Sequence, residues 1–270
     1  MTQPLRLAIN GATGRMGRAL LDLLHEDARF DVVAALTAPG TRQLGERAWH
    51  DRVTPCFQAE WPQQPPDVVI DFSGPDGLVS ALDFCTRHGV ALVSGSTGAD
   101  AALNARVIDA SSRIALMHAS NFSLGIAVLT RLLRQAAAAL PDWDLEIVEA
   151  HHNRKIDAPS GTALSLGEAA AAARGTTLAQ DAVTGVREGA RRAGSIGFAV
   201  VRGGDIVGEH TAMLIGSGER VELAHRAADR SIFARGAIEA AYWLRSQPPG
   251  AYDLEAMLAA RLSQANEVSS

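Results

Sequence analysis

The chain has 270 residues, of which 47% are hydrophobic and 20% are charged, and its formal net charge is −5. This length suffices for one large or two modest domains, and a mildly acidic chain is a poor candidate for a nucleic-acid or anionic-membrane binder. Its two cysteines, Cys56 and Cys85, are too few for a disulfide framework. No stretch reaches the roughly 18 apolar residues of a membrane span, and the N-terminus lacks the pattern of an export signal. We therefore expect a cytoplasmic protein.

The first part of the chain alternates short apolar runs with helical patterns. The predicted strands are Leu5–Asn10, Asp31–Leu36, Asp67–Phe72, Ala91–Ser96 and Ile114–Ala119, and the predicted helices are Gly14–His25, Gly77–His88 and Asp100–Ser111. Continuous Val, Ile and Ala runs indicate strands that are covered on both faces. The alternation of strands with helices predicts an α/β fold with a Rossmann-like, doubly wound parallel sheet. The insert 37–66 carries five prolines and is predicted to be mostly loop.

The pattern changes after Asn121. The predicted helices are now Ser123–Leu140, Gly161–Ala173 and Ser231–Leu244, and the predicted strands are Asp144–Ala150, Ser195–Arg202, Asp205–Gly216 and Glu219–Arg226. Strands joined by Gly-rich turns predict a mixed or antiparallel sheet, and hence an α+β domain. We predict one domain over 1–122, completed by 234–270, and a second domain over 123–233.

A glycine-rich loop follows the first predicted strand and opens the first helix. It reads Asn10-Gly11-Ala12-Thr13-Gly14-Arg15-Met16-Gly17. Glycines at such a turn let the backbone approach a pyrophosphate, and the helix N-terminus supplies N–H groups. The G-x-x-G-x-x-G spacing alone is weak evidence. Its position in a β-α-β pattern favours dinucleotide binding over a purely structural turn.

The next strand ends at Thr37 without the carboxylate that usually holds the ribose 2′-OH of NAD. NADPH should therefore be used at least as well as NADH, with Arg15 or Arg42 meeting the 2′-phosphate. Two later predicted strands also end at the edge where such sheets bind ligands. The segments at their ends are Gly95-Ser96-Thr97-Gly98 and Ala119-Ser120-Asn121-Phe122. Each is equally consistent with an ordinary turn.

A basic segment, residues 151–155, ends a predicted strand. It holds His151, His152, Arg154 and Lys155, the last being the single lysine of the chain. This density suits a small anionic substrate, although a solvated basic turn remains the alternative. Lysine can release its proton and arginine cannot, so Lys155 is a candidate proton donor. The adjacent histidines point opposite ways on a strand and no cysteine pair joins them, so we expect no metal.

The helix that follows this segment begins at Pro159-Ser160-Gly161-Thr162. N–H groups and hydroxyls at a helix start hold carboxylates well.

These motifs resemble the signature of the 4-hydroxy-tetrahydrodipicolinate reductase (dihydrodipicolinate reductase) family of lysine biosynthesis. The run from Glu149 to Thr162 carries most of the resemblance, and further matching segments are Gly11–Gly17, Asp71-Phe72, Gly95–Gly98, Asn121–Ser123 and Gly208–Thr211. The resemblance implies reduction of the conjugated imine derived from 4-hydroxy-tetrahydrodipicolinate to tetrahydrodipicolinate, with NADPH or NADH. It also implies a homotetramer assembled through the sheets of the second domain.

The resemblance further implies roles for individual residues. His151 would donate or accept a proton, and Lys155 would donate one. The small dicarboxylate imine would be bound by His152, Ser160, Gly161 and Thr162. The cofactor would contact Gly11, Ala12, Thr13, Gly14, Arg15, Met16, Gly17, Thr37, Gly95, Ser96, Thr97, Ala119, Ser120, Asn121 and Phe122. Thr37, Ser96 and Ser120 depart from the family pattern.

The alternative is a non-catalytic NADPH-binding sensor on the same fold. The intact basic segment argues against it.

Overall fold

The structure is a computed structural model, which describes residues 3–185 and 189–268. It separates into two compact units, and its helices and strands are numbered here in chain order. The first unit comprises Met1–Ser123 and Ser231–Ser270, and the second comprises Leu124–Arg230.

The first unit is built on a seven-stranded parallel sheet with helices. Its strands are β1 (Leu5–Asn10), β2 (Phe30–Leu36), β3 (Phe57–Gln58), β4 (Val68–Asp71), β5 (Ala91–Ser94), β6 (Ala115–His118) and, late in the chain, β12 (Gly250–Tyr252). Its helices are α1 (Arg15–Leu24), α2 (Pro75–His88), α3 (Ala101–Ser111), α7 (Ser231–Leu244) and α8 (Leu254–Val268). The strand order is β12-β6-β5-β4-β1-β2-β3. The order reverses between β1 and β4, which is where sheets of this kind bind ligands.

Continuous burial explains why these short strands form a central sheet. All four residues of β4 are buried, as are all four of β5. The helices carry local start and stop signals: α2 has a proline in its first turn and ends at Gly89 in the left-handed conformation. The Asp100 carboxylate accepts a hydrogen bond from the Leu103 N–H (2.8 Å) and so caps α3.

The second unit is built on a five-stranded mixed sheet. Its strands are β7 (Asp144–His151), β8 (Ala182–Val183), β9 (Ile196–Arg202), β10 (Gly208–Ile215) and β11 (Arg220–Ala227), and its helices are α4 (Leu124–Ala139), α5 (Gly161–Ala173) and α6 (Leu178–Asp181). The order is β11-β10-β7-β9-β8. β9 runs parallel to β7 and β8, whereas β10 runs antiparallel to β7 and β11. Buried residues alternate with partly exposed ones along β10, so one face of the sheet covers a core that includes Leu133, Leu166 and Leu214.

This architecture confirms the predicted fold class, a Rossmann-like parallel sheet accompanied by an α+β unit with a mixed sheet. Some boundaries differ. The strand predicted over Ala91–Ser96 ends at Ser94, because the Ser94 and Ser96 hydroxyls turn toward Asp71. The helix predicted from Gly77 begins at Pro75, a residue well suited to a first turn. The strand predicted from Asp205 begins at Gly208.

Two kinds of feature are absent from the residues that the structure describes. None of their helices has the length and apolar character needed to cross a membrane. Nor do these residues contain a group of three or more His, Cys, Asp or Glu side chains placed to hold a metal ion.

Candidate active site

The glycine-rich loop forms a tight cradle in front of α1. Gly11 has a φ of +82°, and a Cβ atom there would lie 2.7 Å from the Phe72 carbonyl oxygen. A Cβ atom on Gly17 would lie 2.3 Å from the Gly11 carbonyl oxygen. No side chain caps α1 at its N-cap residue, Gly14. The first-turn N–H groups of a helix lack intrahelical acceptors, so this cradle fits the pyrophosphate of a dinucleotide.

The end of β2 presents hydroxyl groups beside this cradle. Thr37 is buried, and its Oγ1 lies 2.6 Å from Thr13 Oγ1 and donates to Thr41 Oγ1 at 3.1 Å. Arg15 and Arg42 are both exposed. The ribose end of the cradle therefore offers neutral hydroxyls with two arginines nearby in the chain.

A buried carboxylate ties the ends of three neighbouring strands together. Asp71 is fully buried and accepts hydrogen bonds from Asn10 Nδ2 (2.9 Å), Ser94 Oγ (2.7 Å) and Ser96 Oγ (2.8 Å). Ser73 also hydrogen-bonds Asp71. The sequence alone assigns Asp71 no role, because its hydrogen-bond partners come from different strands. The network fixes the Gly95-Ser96-Thr97 turn that the sequence predicts as a cofactor contact.

The two later turns meet at an aromatic pair. A Cβ atom on Gly95 would lie 2.0 Å from the Phe72 ring. The Phe72 ring also meets the Phe122 ring edge-on, with centroids 5.8 Å apart. The Ala119 N–H donates to the Ser94 carbonyl oxygen at 3.0 Å. The structure therefore places the glycine cradle, the Gly95 turn and the Ala119–Phe122 turn at the carboxyl ends of β1, β5 and β6, on one edge of the sheet.

In the second unit, His151 is held by a buried glutamate. His151 Nδ1 lies 2.6 Å from Glu149 Oε2. Arg202 clamps the same carboxylate with two hydrogen bonds of 2.7 Å, and the Ser160 N–H donates to Glu149 Oε1 at 2.9 Å. Burial alone would raise the pKa of the Glu149 carboxyl, but the hydrogen bonds from Arg202, His151 and Ser160 hold it below its ordinary value.

A second buried histidine lies beside this pair. The His210 ring meets the His151 ring edge-on at 5.2 Å, and His210 Nε2 lies 3.1 Å from Ser160 Oγ. Burial, aided by the nearby His151, lowers the pKa of His210 to about 4. His210 is therefore neutral at neutral pH. Ser160 Oγ also accepts from the Ala163 N–H at 3.1 Å and so caps α5.

The rest of the basic segment is less positive than the sequence predicts. Lys155 Nζ forms an ion pair with Asp157 at 2.8 Å, and its side chain is 21% exposed. Desolvation, together with the charges of Arg154 and Arg230, lowers the pKa of His152. His152 is therefore neutral at neutral pH and would contact a carboxylate as a neutral hydrogen-bond donor, not as a cation. Gly161 and Thr162 are the first two residues of α5.

The sequence alone does not assign Glu149, Arg202 and His210 to this cluster. Glu149 and His151 are two residues apart on β7, so they share a face, and this spacing could have revealed the pair. Arg202 lies opposite His151 in the register of β9 with β7. Such register-dependent neighbours leave no local signal in the sequence.

The Rossmann-like sheet carries a glycine cradle, and the chain also carries an oriented histidine. These two features place the protein among the oxidoreductases that use NADH or NADPH. Comparison with known proteins narrows this class. The family model described as "Dihydrodipicolinate reductase, N-terminus" matches residues 5–122, and that described as "Dihydrodipicolinate reductase, C-terminus" matches residues 125–258. The chain belongs to the dihydrodipicolinate reductase family.

Curated relatives agree over nearly the full length. A 4-hydroxy-tetrahydrodipicolinate reductase of Caulobacter vibrioides is 47% identical, covering 96% of this chain and 98% of the relative. One from Thiobacillus denitrificans is 45% identical, covering 94% and 98%. The solved structure of a dipicolinate-bound dihydrodipicolinate reductase from Paenisporosarcina sp. TG-14 superposes with a TM-score of 0.71 at 21% identity, covering 93% of this chain and 97% of that one. The two curated relatives support an enzyme over a non-catalytic sensor, and the superposition supports the fold.

Proposed function

We propose that this enzyme reduces the conjugated cyclic imine derived from 4-hydroxy-tetrahydrodipicolinate to tetrahydrodipicolinate, within lysine and diaminopimelate biosynthesis. The observation that carries the proposal is the His151–Glu149 pair beside the start of α5, in a chain of this family. A dicarboxylate imine needs anion-binding groups and a proton source. The second unit offers both in one cluster.

The first unit would hold the nucleotide. The cradle from Gly11 to Gly17 fits a pyrophosphate because only glycine allows the backbone to pack this closely at Gly11 and Gly17, and because the first-turn N–H groups of α1 lack intrahelical acceptors. Thr37 and the turns Gly95–Thr97 and Ala119–Phe122 would complete the site. When bound, NADH or NADPH supplies the hydride for C4 of the substrate.

The substrate carboxylates would bind His152 and the first turn of α5. The Ser160 N–H is already donated to Glu149, so Ser160 would reach the substrate only through its hydroxyl. The N–H groups at Gly161 and Thr162 lie at the positive end of the helix dipole.

His151 and Lys155 would supply the proton. Addition of hydride at C4 pushes an electron pair onto the α-carbon or the ring nitrogen, and a proton must follow it. Because His151 Nδ1 faces Glu149, its Nε2 is the ring atom that would exchange a proton with the substrate. The Lys155 ammonium would stabilise the developing charge or donate the proton itself.

An activity assay tests this proposal. The purified enzyme should oxidise NADPH, followed by the loss of nicotinamide absorbance, when the unstable substrate is generated enzymatically in the same cuvette. Omission of the substrate-generating enzyme is the control. Nucleotide binding without turnover would contradict the proposed function.

The residues around Thr37 predict the nucleotide preference. NADPH should serve at least as well as NADH, because a buried hydroxyl stands where NAD-specific sites carry a carboxylate. A double Arg15→Ala, Arg42→Ala variant should raise the KM for NADPH by about tenfold or more, since charge-assisted hydrogen bonds to a phosphate contribute roughly 1.5–3 kcal/mol. Its KM for NADH should stay nearly constant. A strong NADH preference in the unaltered enzyme would count against this prediction.

We also propose a homotetramer assembled through the sheets of the second unit. The support is the face of that sheet opposite its core, where Val201 is 48% exposed and Met213 is only partly buried. Light scattering should give the mass of four chains, and Met213→Glu should reduce it. Ile108→Glu, at a 72% exposed position in the first unit, is the matched control. A monomer at micromolar concentration would contradict the assembly.

A cytoplasmic location is proposed on chemical grounds. Cys56 and Cys85 are both free thiols, as expected of a reducing compartment. Fractionation of cells expressing the tagged chain should recover it with cytoplasmic markers, and recovery with an exported marker would oppose this location.

A further inference from the structure

We infer that Glu149 is a positioning residue for the reaction. It holds His151 in the tautomer whose Nδ1 is protonated, and it anchors the start of α5 with the same carboxylate. The inference rests on the proposed function, in which His151 exchanges a proton with the substrate.

The geometry places Glu149 at the centre of the cluster. Its side chain is fully buried on β7. One oxygen faces His151 Nδ1 (2.6 Å) and Arg202 Nη1 (2.7 Å). The other faces the Ser160 N–H (2.9 Å) and Arg202 Nη2 (2.7 Å). Both oxygens are thus occupied by two donors each.

The charge of Glu149 determines which ring nitrogen of His151 is protonated. The hydrogen bonds that hold the Glu149 pKa below its ordinary value keep this group an anion at neutral pH. An ionised carboxylate only accepts hydrogen bonds. His151 Nδ1 must therefore carry the proton between them, whether the ring is neutral or charged. Nε2 is left as the atom that gains or loses a proton.

The surroundings of Nε2 agree with this role. A Cβ atom on Gly208 would lie 3.1 Å from His151 Nε2, so the glycine leaves room beside that atom. The neighbouring His210 is neutral at neutral pH, because its pKa is lowered to about 4. It adds no positive charge next to the His151 ring.

Arg202 completes the arrangement. Besides its two bonds to Glu149, Arg202 Nη2 donates to the Asp157 carbonyl oxygen at 2.7 Å. The guanidinium thereby connects the Glu149 carboxylate with the loop that carries Lys155. Glu149 and Arg202 affect the proton transfer only by positioning His151, the start of α5 and the loop that carries Lys155.

Nitrogen-15 NMR of labelled histidine in the full-length enzyme tests the tautomer directly. The His151 signals are assigned by their loss in His151→Gln. We expect a protonated Nδ1 in the unaltered enzyme and a shift toward the Nε2-protonated form in Glu149→Gln. An Nε2-protonated neutral His151 in the unaltered enzyme would overturn the inference, and this result does not depend on any variant of Glu149 folding.

Kinetics provide the second readout. Glu149→Gln should lower kcat by roughly 10–10⁴-fold, in the range seen when an orienting carboxylate is lost, and leave the Kd for NADPH unchanged. Glu149→Asp keeps the charge and should recover part of the loss. The double variant Glu149→Gln, His151→Gln should be no slower than His151→Gln alone, because both changes disrupt the same proton exchange at His151.

The matched control is Glu146→Gln. Glu146 lies on the same strand and pairs with Arg191, so its replacement removes a similar ion pair outside the cluster. It should leave kcat and the His151 signals unchanged. Independent, additive losses for Glu149→Gln and His151→Gln would overturn the positioning role. Full activity of His151→Gln would instead overturn the proton exchange proposed for His151, whereas absence of turnover in the unaltered enzyme would overturn the proposed function.

Discussion

Lys155→Arg is expected to lower kcat by about 10²–10⁴-fold while NADPH still binds normally. Arginine keeps the positive charge and the ion pair with Asp157, which measures 2.8 Å in the structure. It cannot release a proton at neutral pH, however, and its planar fork is wider than an ammonium group. A large loss of kcat would therefore show that the chain needs a lysine here, at its single lysine position, and not merely a cation.

The measurement is steady-state kinetics with the enzymatically generated substrate, together with nucleotide titration. Arg220→Lys is the reciprocal control. Arg220 is exposed on β11 and pairs with Glu222, so exchanging its cation should leave kcat unchanged. Near-normal turnover of Lys155→Arg would show that the lone lysine is accidental.

His151→Gln is expected to reduce kcat by about 10²–10⁴-fold and to raise KM much less. Glutamine can still donate a hydrogen bond toward Glu149, but it cannot gain and lose a proton near neutral pH. The chemical step should therefore suffer more than substrate binding. Loss of a proton-transfer group has this signature, whereas loss of a binding group raises KM with kcat unchanged.

His50→Gln is a suitable control, because His50 is exposed in the first unit. It should behave as the unaltered enzyme in both parameters. A His151→Gln variant with normal kcat and raised KM would reassign His151 to substrate binding. Circular dichroism of both variants should match that of the unaltered enzyme, since a glutamine fills most of the imidazole volume.

Helices and strands with strong local signals are predictable from the sequence. The observed limits equal the predicted ones for one strand and two helices, which are Leu5–Asn10, Gly161–Ala173 and Ser231–Leu244. The start of α5 is defined by Ser160, whose hydroxyl caps the helix. By contrast, β12 has three residues and exists only because it pairs with β6, more than a hundred residues earlier. Such long-range pairing outweighs local preference and leaves no periodic pattern to find.

The candidate site likewise has one part that is predictable from the sequence and one part that is not. Histidine and lysine side chains that are contiguous in the sequence could be singled out from it. The charge balance of the site could not, since Asp157 pairs with Lys155 and Arg202 reaches Glu149 across the sheet. The positive cluster that the sequence predicts is therefore partly neutralised. Asp71 is a similar case in the first unit, because its hydrogen bonds depend on which strands are neighbours.

A crystal structure of the enzyme with dipicolinate and NADPH bound tests most directly whether residues 151–162 form the substrate site. We expect the two carboxylates of dipicolinate at His152 and the first turn of α5, with its ring within hydrogen-bonding reach of His151 Nε2 or Lys155 Nζ. We expect the NADPH pyrophosphate on the cradle from Gly11 to Gly17. Dipicolinate bound elsewhere, with His151 and Lys155 facing only solvent, would contradict the assignment.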